Sequence, residues 1–499
     1  SEAFYKNTSM IRFNVPNSVE TIGLGAFGLT TSLEEISIPF VGRHAYATTF
    51  KSLEELVAED KYDYPDNGFD SRESLFGWIF GSKKEANGVV ETKQAWNSGQ
   101  FDAIKRNNTT SSIDGVTYTP ESFYVPVSLK RINLTESIGI GYGAFMNLRY
   151  VEEIVLPIEL KFIGKYAFYG DWSLGGVDIP RGVEIIGDGA FANSGLEYVE
   201  VWNKTVSDSE FANCKRLHTA ILHDTVEEIG YGVFTGCSLL ENLTIPFVGS
   251  SQGLATIDKS YETMFGWIFG YNNGDIKDNA SYSIVNSLQN VHITNDKNIS
   301  PYAFYNLPNV DYVSLGDTIE TIGEYAFANN NTLSVVRFAD GYRMTTVSNN
   351  LFQNATALQG FNLGGNVLDT KDTTAIVRRL PDCVTTIGAY AFDGCSDVHF
   401  IDFAVSNNVT TIGKYAFSRT SSMVSFSFDE TCQIKTLSEG TFKDAIKLQM
   451  TTLPDSFTRV EKYAFENCQF ITEFTLGNNV EYVGEAVFRG ATRLAILTI

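Results

Sequence analysis

The chain lacks the features that mark membrane-spanning, zinc-ribbon or enzymatic proteins. Its 499 residues include no run of about 18 apolar residues, so no segment is long enough to cross a membrane. Histidine (5), tryptophan (5) and methionine (6) are scarce, and the six cysteines form no C-x-x-C pair, which excludes a zinc ribbon. No G-x-S-x-G elbow, H-E-x-x-H helix, P-loop or Rossmann fingerprint occurs. We therefore predict a protein that is not an enzyme.

Positive charge is also in short supply, with 37 basic residues against 59 acidic ones and a net charge of −22. Such a field repels phosphate backbones and anionic lipids, so nucleic-acid and membrane-surface partners are not expected. The first residues, SEAFYKNTSM, do not form a signal peptide, and we expect any export signal or anchor to be missing from this chain. Hydrophobic residues make up 43%, enough for a packed interior, and the length exceeds one ordinary core.

The sequence is dominated by an internal repeat anchored on the dipeptide Ala-Phe. Phe145, Phe168 and Phe191 follow one another at intervals of 23 residues. The aligned copies share the consensus V-x-x-I-G-x-x-A-F-x-x-C/N/S-x-x-L-x-x-I-x-I-P. The copies with an intact dipeptide are Ala3-Phe4, Ala26-Phe27, Ala144-Phe145, Ala167-Phe168, Ala190-Phe191, Ala303-Phe304, Ala326-Phe327, Ala391-Phe392, Ala416-Phe417 and Ala464-Phe465. A period of this length is typical of solenoids.

Each part of the consensus has a structural interpretation. The segment L-x-x-I-x-I alternates and predicts a short strand with one buried face, which only stacking on neighbouring coils can cover. The glycine of the I-G step suggests a backbone with positive φ, and Ala-Phe predicts a tight turn whose Phe fills the solenoid axis. We predict a repeat solenoid, a leucine-rich-repeat-like right-handed coil of about 23-residue units. A long parallel β-sheet would form one side and short helical or irregular turns the other.

Two coils are expanded and framed by the same words. IPFVG ends at Gly42 and again at Gly249, and FGWIFG follows at Phe76–Gly81 and Phe265–Gly270. We predict one continuous array over residues 1–499, without a separate globular domain and with loop excursions at about 42–125, 249–286 and 364–385. The repeated words are interpreted as hydrophobic latches that hold each excursion to the sheet edge, with an exposed recognition surface as the alternative. The latch residues are Phe76, Trp78, Phe80, Phe265, Trp267 and Phe269.

The first excursion is the predicted binding feature, because the residues between IPFVG and FGWIFG differ between the two copies. Its residues 58–70 are dense in carboxylates and aromatics. The binding candidates are Tyr62, Tyr64, Asp66, Phe69 and Asp70. Calcium bound by Asp60, Asp63, Asp66 and Asp70 is a weak alternative, because the spacing does not match the calcium-loop pattern. We favour a solvated acidic loop with no metal or other cofactor.

The remaining polar residues are interpreted as structural or solvent-exposed. Cys214, Cys237, Cys395 and Cys468 share the slot three residues after the anchor Phe, which predicts a small buried position rather than a disulfide framework. Cys383 and Cys432 lie off that slot and have no assigned role. His218, His292 and His399 fall on outward strand positions as surface histidines, and His44 has no evident partner. Outward mid-strand residues such as Asn14 and Thr498 are polar and small, indicating a protein-binding face or a merely solvated sheet.

The consensus resembles the BspA-like (Treponema pallidum type) leucine-rich repeat family over nearly the whole chain. Ordinary leucine-rich repeats carry L-x-x-L-x-L-x-x-N, whereas here Pro often follows the strand. The resemblance implies a cell-surface or secreted protein that adheres to host or microbial proteins. The alternative is a structural filament component that assembles head-to-tail through uncapped repeat ends. The sequence does not identify the ligand.

Overall fold

The computed structural model describes residues 1–44, 72–84, 87–95, 112–113, 116–117, 121–252, 261–339, 341, 343–363, 383–398, 400–402, 408–428 and 431–499. These residues form two compact units, Ser1–Leu240 and Glu241–Ile499. The prediction of one continuous array stays a prediction, and most of its third excursion lies outside the described residues. No helix in the described part of the chain has the length and apolar character needed to cross a membrane.

The first unit is a stack of parallel coils. Each coil contributes a strand of up to four residues to one side and a two-residue strand after the turn that follows. The sheet strands are Arg12–Asn14, Glu35–Ile38, Arg131–Leu134 and Glu153–Val155 in one sheet, and Tyr198–Val201 with Thr219–Leu222. The two-residue strands are Gly139–Ile140, Phe162–Ile163 and Ile185–Ile186, and Thr205–Val206 with Glu228–Ile229. All these pairs are parallel.

The second unit repeats this arrangement. Its sheet strands are Asn242–Ile245, Asn290–Ile293, Tyr312–Leu315, Val335–Phe338 and Gly360–Leu363, then Phe400–Asp402 with Ser425–Ser427, and Glu473–Thr475 with Ile496–Thr498. Its two-residue strands are Asn298–Ile299 with Thr321–Ile322, then Thr346–Val347, Thr386–Ile387 and Thr411–Ile412, and finally Thr436–Leu437, Arg459–Val460 and Tyr482–Val483. The register joins residues one repeat apart, as in Ile299 with Ile322. The predicted solenoid is confirmed in both units.

The antiparallel strands of the first unit are confined to its excursion. Val89–Gln94 pairs with Glu121–Pro126, and Ser112–Ile113 pairs with Val116–Thr117. Short 3-10 helices at Arg72–Ser74 and Phe76–Ile79 precede them. In the second unit the corresponding 3-10 helices are Tyr261–Thr263, Phe265–Phe269 and Asn279–Ser281.

Stacked phenylalanine rings form the core of each unit. The rings of Phe168 and Phe191 are 5.0 Å apart and 1° from parallel. In the second unit the rings of Phe304 and Phe327 are 5.0 Å apart and 4° from parallel. The alanines before these anchors are fully buried. The anchor dipeptide thus occupies the interior that its pattern predicts.

The glycine of the I-G step has a different purpose from the predicted one. At Gly187 φ is not positive; instead, a β-carbon would lie 2.5 Å from the backbone nitrogen of Lys165 in the preceding coil. Close approach between coils therefore requires this glycine. Positive φ occurs just before the Ala of the dipeptide, as at Tyr166 (φ 55°), and two residues after the Phe, as at Asn147 (φ 62°).

One coil places a carboxyl group in the slot before the anchor Phe, where most coils have Ala. Glu210 is fully buried, and its Oε2 accepts a hydrogen bond from the Ser207 backbone nitrogen at 2.8 Å. Its Oε1 has no hydrogen-bond partner among the described residues. Burial raises the pKa of Glu210 to about 8, because the charged form loses its hydration; nearby Asp188 adds to the rise. Burial likewise raises the pKa of Asp171 well above its usual range.

Candidate binding surfaces

The first frame closes through a backbone contact between residues that flank the two repeated segments. The Arg43 backbone nitrogen, directly after the IPFVG glycine, donates a hydrogen bond of 2.7 Å to the carbonyl of Glu73. Gly42 has a φ of 82°, and a β-carbon there would clash with the same carbonyl. The entry and exit of residues 44–72 therefore meet, and only glycine permits that approach.

The second frame repeats this closure. The Ser250 backbone nitrogen donates a hydrogen bond of 2.8 Å to the carbonyl of Glu262, and Gly249 has a φ of 98°. Glu73 and Glu262 each lie three residues before FGWIFG, within the related segments ESL and ETM. The repeated segment is thus three residues longer than FGWIFG alone, an extension that was not predicted although the two copies show it.

FGWIFG replaces an Ala-Phe turn in the first interrupted coil. The Phe27 backbone nitrogen donates to the Ile79 carbonyl at 2.8 Å, and the Phe76 nitrogen donates to the Ala144 carbonyl at 2.8 Å. These bonds match those between regular turns, such as Phe145 nitrogen to Ala167 carbonyl at 2.8 Å. The word therefore continues the backbone ladder on both of its sides.

The rings of the word continue the phenylalanine column as well. Phe80 lies 6.4 Å from Phe27, and Phe76 lies 5.4 Å from both Phe80 and Phe145. Trp78 is 8% exposed, and its Nε1 donates to the Ile22 carbonyl at 3.1 Å. Phe76 and Phe80 lie in the ring column on the turn side of the coil and not at the predicted sheet edge, and Trp78 is held by its bond to Ile22. Their burial supports a latch, which remains to be tested by substitution.

The second copy of the word is placed in the same way. Phe265 is buried, its ring lies 5.3 Å from that of Phe304, and its nitrogen donates to the Ala303 carbonyl at 2.9 Å. Phe269 is fully buried with its ring 5.6 Å from that of Phe265. Trp267 is half-buried against Tyr261, with ring centroids 5.3 Å apart.

A buried amide side chain, which the sequence pattern did not predict, links the segment FGWIFG to the following coil. Gln94 is 0% exposed, and its Oε1 accepts a hydrogen bond from the Gly77 nitrogen at 2.7 Å. Its Nε2 donates to the carbonyls of Met146 at 3.1 Å and Ala144 at 3.4 Å. The side chain thus satisfies three backbone groups inside the protein.

Asn279 makes the equivalent contacts in the second frame. Its Oδ1 accepts from the Gly266 nitrogen at 2.9 Å, and its Nδ2 donates to the carbonyls of Tyr305 at 2.9 Å and Ala303 at 3.1 Å. Gln94 lies 17 residues after its glycine and Asn279 lies 13 residues after. We call these two residues the amide clips.

An aromatic ring packs on the glycine of each word. A β-carbon at Gly77 would clash with the ring of Phe123, and one at Gly266 would clash with the ring of Tyr282. Phe123 and Tyr282 do not take the place of the anchor Phe, because the rings of FGWIFG already occupy the column. Both residues instead cover the word from the excursion side.

The predicted loop site cannot be placed. Tyr62, Tyr64, Asp66, Phe69 and Asp70 lie outside the described residues, as do all four candidate calcium ligands. Within the described ranges, no group of three or more His, Cys, Asp or Glu side chains is arranged to hold a metal ion.

The sheet of the first unit carries an exposed charge ladder. At one outward position of successive coils stand Arg12, Glu35, Arg131 and Glu153, alternating in sign. The Arg12–Glu35 distance is 3.3 Å and the Arg131–Glu153 distance is 3.2 Å. One residue earlier, Lys130 and Glu152 pair at 2.8 Å. Glu197 lies at the same repeat position of a later coil and pairs with Arg216, which directly precedes Leu217. Exposed pairs of this kind stabilise the fold little and leave charge available at the surface.

An aromatic and ionic cluster lies at the far end of this face. Trp202 stacks on His223 with centroids 3.4 Å apart, and the Arg181 guanidinium lies 3.9 Å from the Trp202 ring. The Tyr198 hydroxyl donates a hydrogen bond to Glu200, and His223 lies 3.4 Å from Glu200. The bond from Tyr198 lowers the pKa of Glu200, and the histidine adds to this.

The outward face of the second unit differs from the prediction of a solvent-exposed ladder. Ser314, Arg337 and His292 are 0%, 6% and 9% exposed. His292 Nδ1 lies 2.7 Å from the Ser314 hydroxyl on the neighbouring strand, so polar groups satisfy one another along the ladder. The prediction of a surface histidine at His292 is therefore wrong. His218 is exposed, His44 lies 3.8 Å from a carboxylate oxygen of Glu73, and His399 falls outside the described residues.

All six cysteines are free thiols. The four in the slot after the anchor Phe are fully buried, and each donates to the carbonyl of the anchor Phe in the preceding coil, as from Cys214 to Phe191 at 3.2 Å. Burial raises the pKa of the Cys214 thiol to about 11, which keeps it protonated. Cys383 donates to the Met344 carbonyl at 2.9 Å, and Cys432 is buried. The slot is thus a small buried hydrogen-bonding position.

The repeat is that of a known family. The description "BspA type Leucine rich repeat region" applies to a family model that matches residues 1–72, 116–241, 272–375 and 371–495, in six copies. The chain belongs to the BspA-type leucine-rich repeat family. The resemblance inferred from the consensus is thereby confirmed. Among curated proteins, none matches this sequence.

Several solved leucine-rich repeat structures are similar to this BspA-type chain. One is a leucine-rich repeat protein from Bacteroides ovatus, at 17% identity and a TM-score of 0.39, covering 81% of this chain and 99% of that one. A leucine rich cell surface protein from Faecalibacterium prausnitzii is 18% identical with a TM-score of 0.28, covering 76% and 85%. The pneumococcal vaccine antigen PcpA is 15% identical with a TM-score of 0.28, covering 84% and 87%.

Proposed function

We propose that this BspA-type repeat protein is a non-enzymatic binding module at the cell surface or outside the cell. It holds a protein partner through its first excursion and the exposed sheet face of the first unit. The main observation in support is that the same buried frame closes two interrupted coils. The amino-acid sequences enclosed by the two frames differ. A frame that is repeated within the chain, around loop sequences that differ, is the arrangement expected where loops bind and the scaffold only positions them.

The frame geometry dictates how the proposal is tested. Because Arg43 and Glu73 are hydrogen-bonded to each other, residues 45–71 can be replaced by a short Gly-Ser linker without moving the frame. The cut must spare residues 72–75, since Ser74 and Leu75 are buried. A deletion through residue 75 would remove part of the core and confuse a loss of binding with a loss of folding.

A loop transplant separates binding from folding. The parent chain is screened for binding on an array of purified extracellular proteins, and each hit is retested with two variants. One variant carries the linker in place of residues 45–71, and the other moves residues 45–71 into the second frame in place of residues 253–260. We expect the linker variant to lose its partner and the transplant in a linker background to regain it. Binding that persists with the linker and does not follow the transplant would refute a role for the loop.

Head-to-tail assembly, the alternative raised by the sequence, stays a prediction. Sedimentation of the parent chain over a wide concentration range measures it directly. A mass that stays that of one chain would count against a filament.

A further inference from the structure

The alternating charges on the sheet face of the first unit stop at two adjacent glycines. Gly176 is in register with Glu153 of the preceding coil, and the Glu197 nitrogen of the following coil donates to the Gly175 carbonyl at 3.0 Å. The matching positions of the preceding coil hold Glu152 and Glu153. If the signs kept alternating from coil to coil, positions 175 and 176 would therefore both carry a cation. The ladder instead presents carboxylates to a gap with no side chain.

Space above the gap is open. A β-carbon on Gly175 or Gly176 would meet no atom within 4 Å, and neither glycine has positive φ. Glycine is therefore required here neither for coil packing nor for backbone conformation, in contrast to Gly187. We call this surface the glycine notch: Gly175 and Gly176, with Glu152 and Glu153 on one side and Glu197 and Tyr198 on the other.

The rim of the notch is exposed and carries both acidic and aromatic groups. The side chains of Glu152, Glu153 and Glu197 are 60%, 51% and 49% exposed. Tyr198 is 45% exposed, although such rings are usually more buried. Trp172, three residues before Gly175, is 58% exposed with Arg149 4.8 Å from its ring.

We propose, building on the proposed function, that the glycine notch receives an arginine side chain from an extended segment of the protein partner. Adjacent coils are about 4.8 Å apart, so a group above Gly175 lies within reach of carboxylates on both neighbouring coils. A guanidinium can bond a carboxylate with two N–H groups and also stack on a tyrosine ring, which an ammonium does less well. The partner's arginine would contact Glu153 from the side of Gly176, as Arg131, two coils before Gly176, contacts it from the other side.

Charge complementarity selects this occupant over others. Lys130, Arg131 and Arg216 pair with the rim carboxylates and lie on the far sides of Glu152, Glu153 and Glu197. The guanidinium of Arg149 lies against the Trp172 ring. An acidic or purely apolar segment would leave these carboxylates without a new partner and would add repulsion or desolvation cost.

The test uses a fluorescent peptide of Ser-Arg-Ser repeats and an analogue in which citrulline replaces arginine. Fluorescence anisotropy with the full chain should show binding to the arginine peptide at least about tenfold tighter than to the uncharged analogue. Gly175→Lys supplies the missing cation within the chain and should weaken the binding of the arginine peptide by about tenfold or more. Gly182→Lys, a matched control in the same coil but outside the notch, should change binding by less than about twofold.

Glu197→Gln gives a second route that leaves the backbone unchanged, and circular dichroism confirms that each variant is folded. Equal binding of both peptides would overturn the proposal. Equal weakening by Gly175→Lys and Gly182→Lys would also overturn it, because general attraction to an acidic chain would then explain the binding. A protein partner that binds the parent chain and the Gly175→Lys variant equally well would overturn the notch proposal and leave the proposed function standing. Arginine-specific binding at the notch, with no protein partner found for the chain, would support the notch and count against the proposed function.

Discussion

The amide clips offer a prediction whose size can be worked out group by group. Gln94→Ala removes the acceptor of the buried Gly77 N–H and the side-chain donor to the Met146 carbonyl. The Ala144 carbonyl keeps a partner, because it also accepts from Phe76. Two buried backbone groups lose their partner, and at about 1–3 kcal/mol for each such group the unfolding free energy should fall by about 2–6 kcal/mol.

Asn279→Ala should cost less for the same kind of change. The Tyr305 carbonyl still accepts from the Asn279 backbone nitrogen, and the Ala303 carbonyl still accepts from Phe265. Only the Gly266 N–H loses its partner, so we expect a loss of about 1–3 kcal/mol.

Urea denaturation gives the global free energy of unfolding, and amide hydrogen exchange at Gly77 and Gly266 gives the local free energy of opening. The matched control is Gln433→Ala, which removes an exposed amide that donates to a nearby carbonyl and should change stability by less than about 0.5 kcal/mol. A Gln94→Ala effect as small as that of the control would show that the clip does not hold the word in place.

Two further predictions concern the column and its buried acid. Phe76→Ala should lower the free energy of unfolding by about 3–5 kcal/mol in urea titrations, because it empties a fully buried ring site between Phe80 and Phe145, whereas exposed Tyr150→Ala should have little effect. The folded chain keeps a proton on Glu210 that the unfolded chain releases, so the free energy of unfolding should fall as the pH rises from about 4.5 to about 8, by at most about 5 kcal/mol. Glu210→Ala, which restores the repeat consensus, should flatten that slope, and an unchanged slope would refute the assignment.

Periodicity carried most of the fold prediction because the same contacts recur in every coil. The anchor Phe, the small slot after it and the strand positions all repeat at about the same interval, so each copy reinforces the others. The reason for the I-G glycine did not follow from the pattern, because the approach of Gly187 to the Lys165 backbone joins residues of different coils.

The site was less predictable than the fold. The words IPFVG and FGWIFG showed where the coils are interrupted, yet the amide clips differ in residue type, in spacing from their glycine and in local structure. Gln94 ends a strand and Asn279 begins a 3-10 helix. Only the shared bond to Gly77 or Gly266 shows that they are equivalent. The glycine notch could not be predicted either, because two glycines without side chains form no sequence motif that indicates a binding site.

The central claim is that the buried frame closes an interrupted coil whatever lies between its two words. The most direct test is amide hydrogen exchange of residues 72–81 in the chain whose residues 45–71 are replaced by a Gly-Ser linker. We predict that the Phe76 and Gly77 amides stay as protected from exchange as in the parent chain, because their hydrogen-bond partners are Ala144 and Gln94. Loss of protection at both amides, in a chain that otherwise stays folded, would contradict the claim.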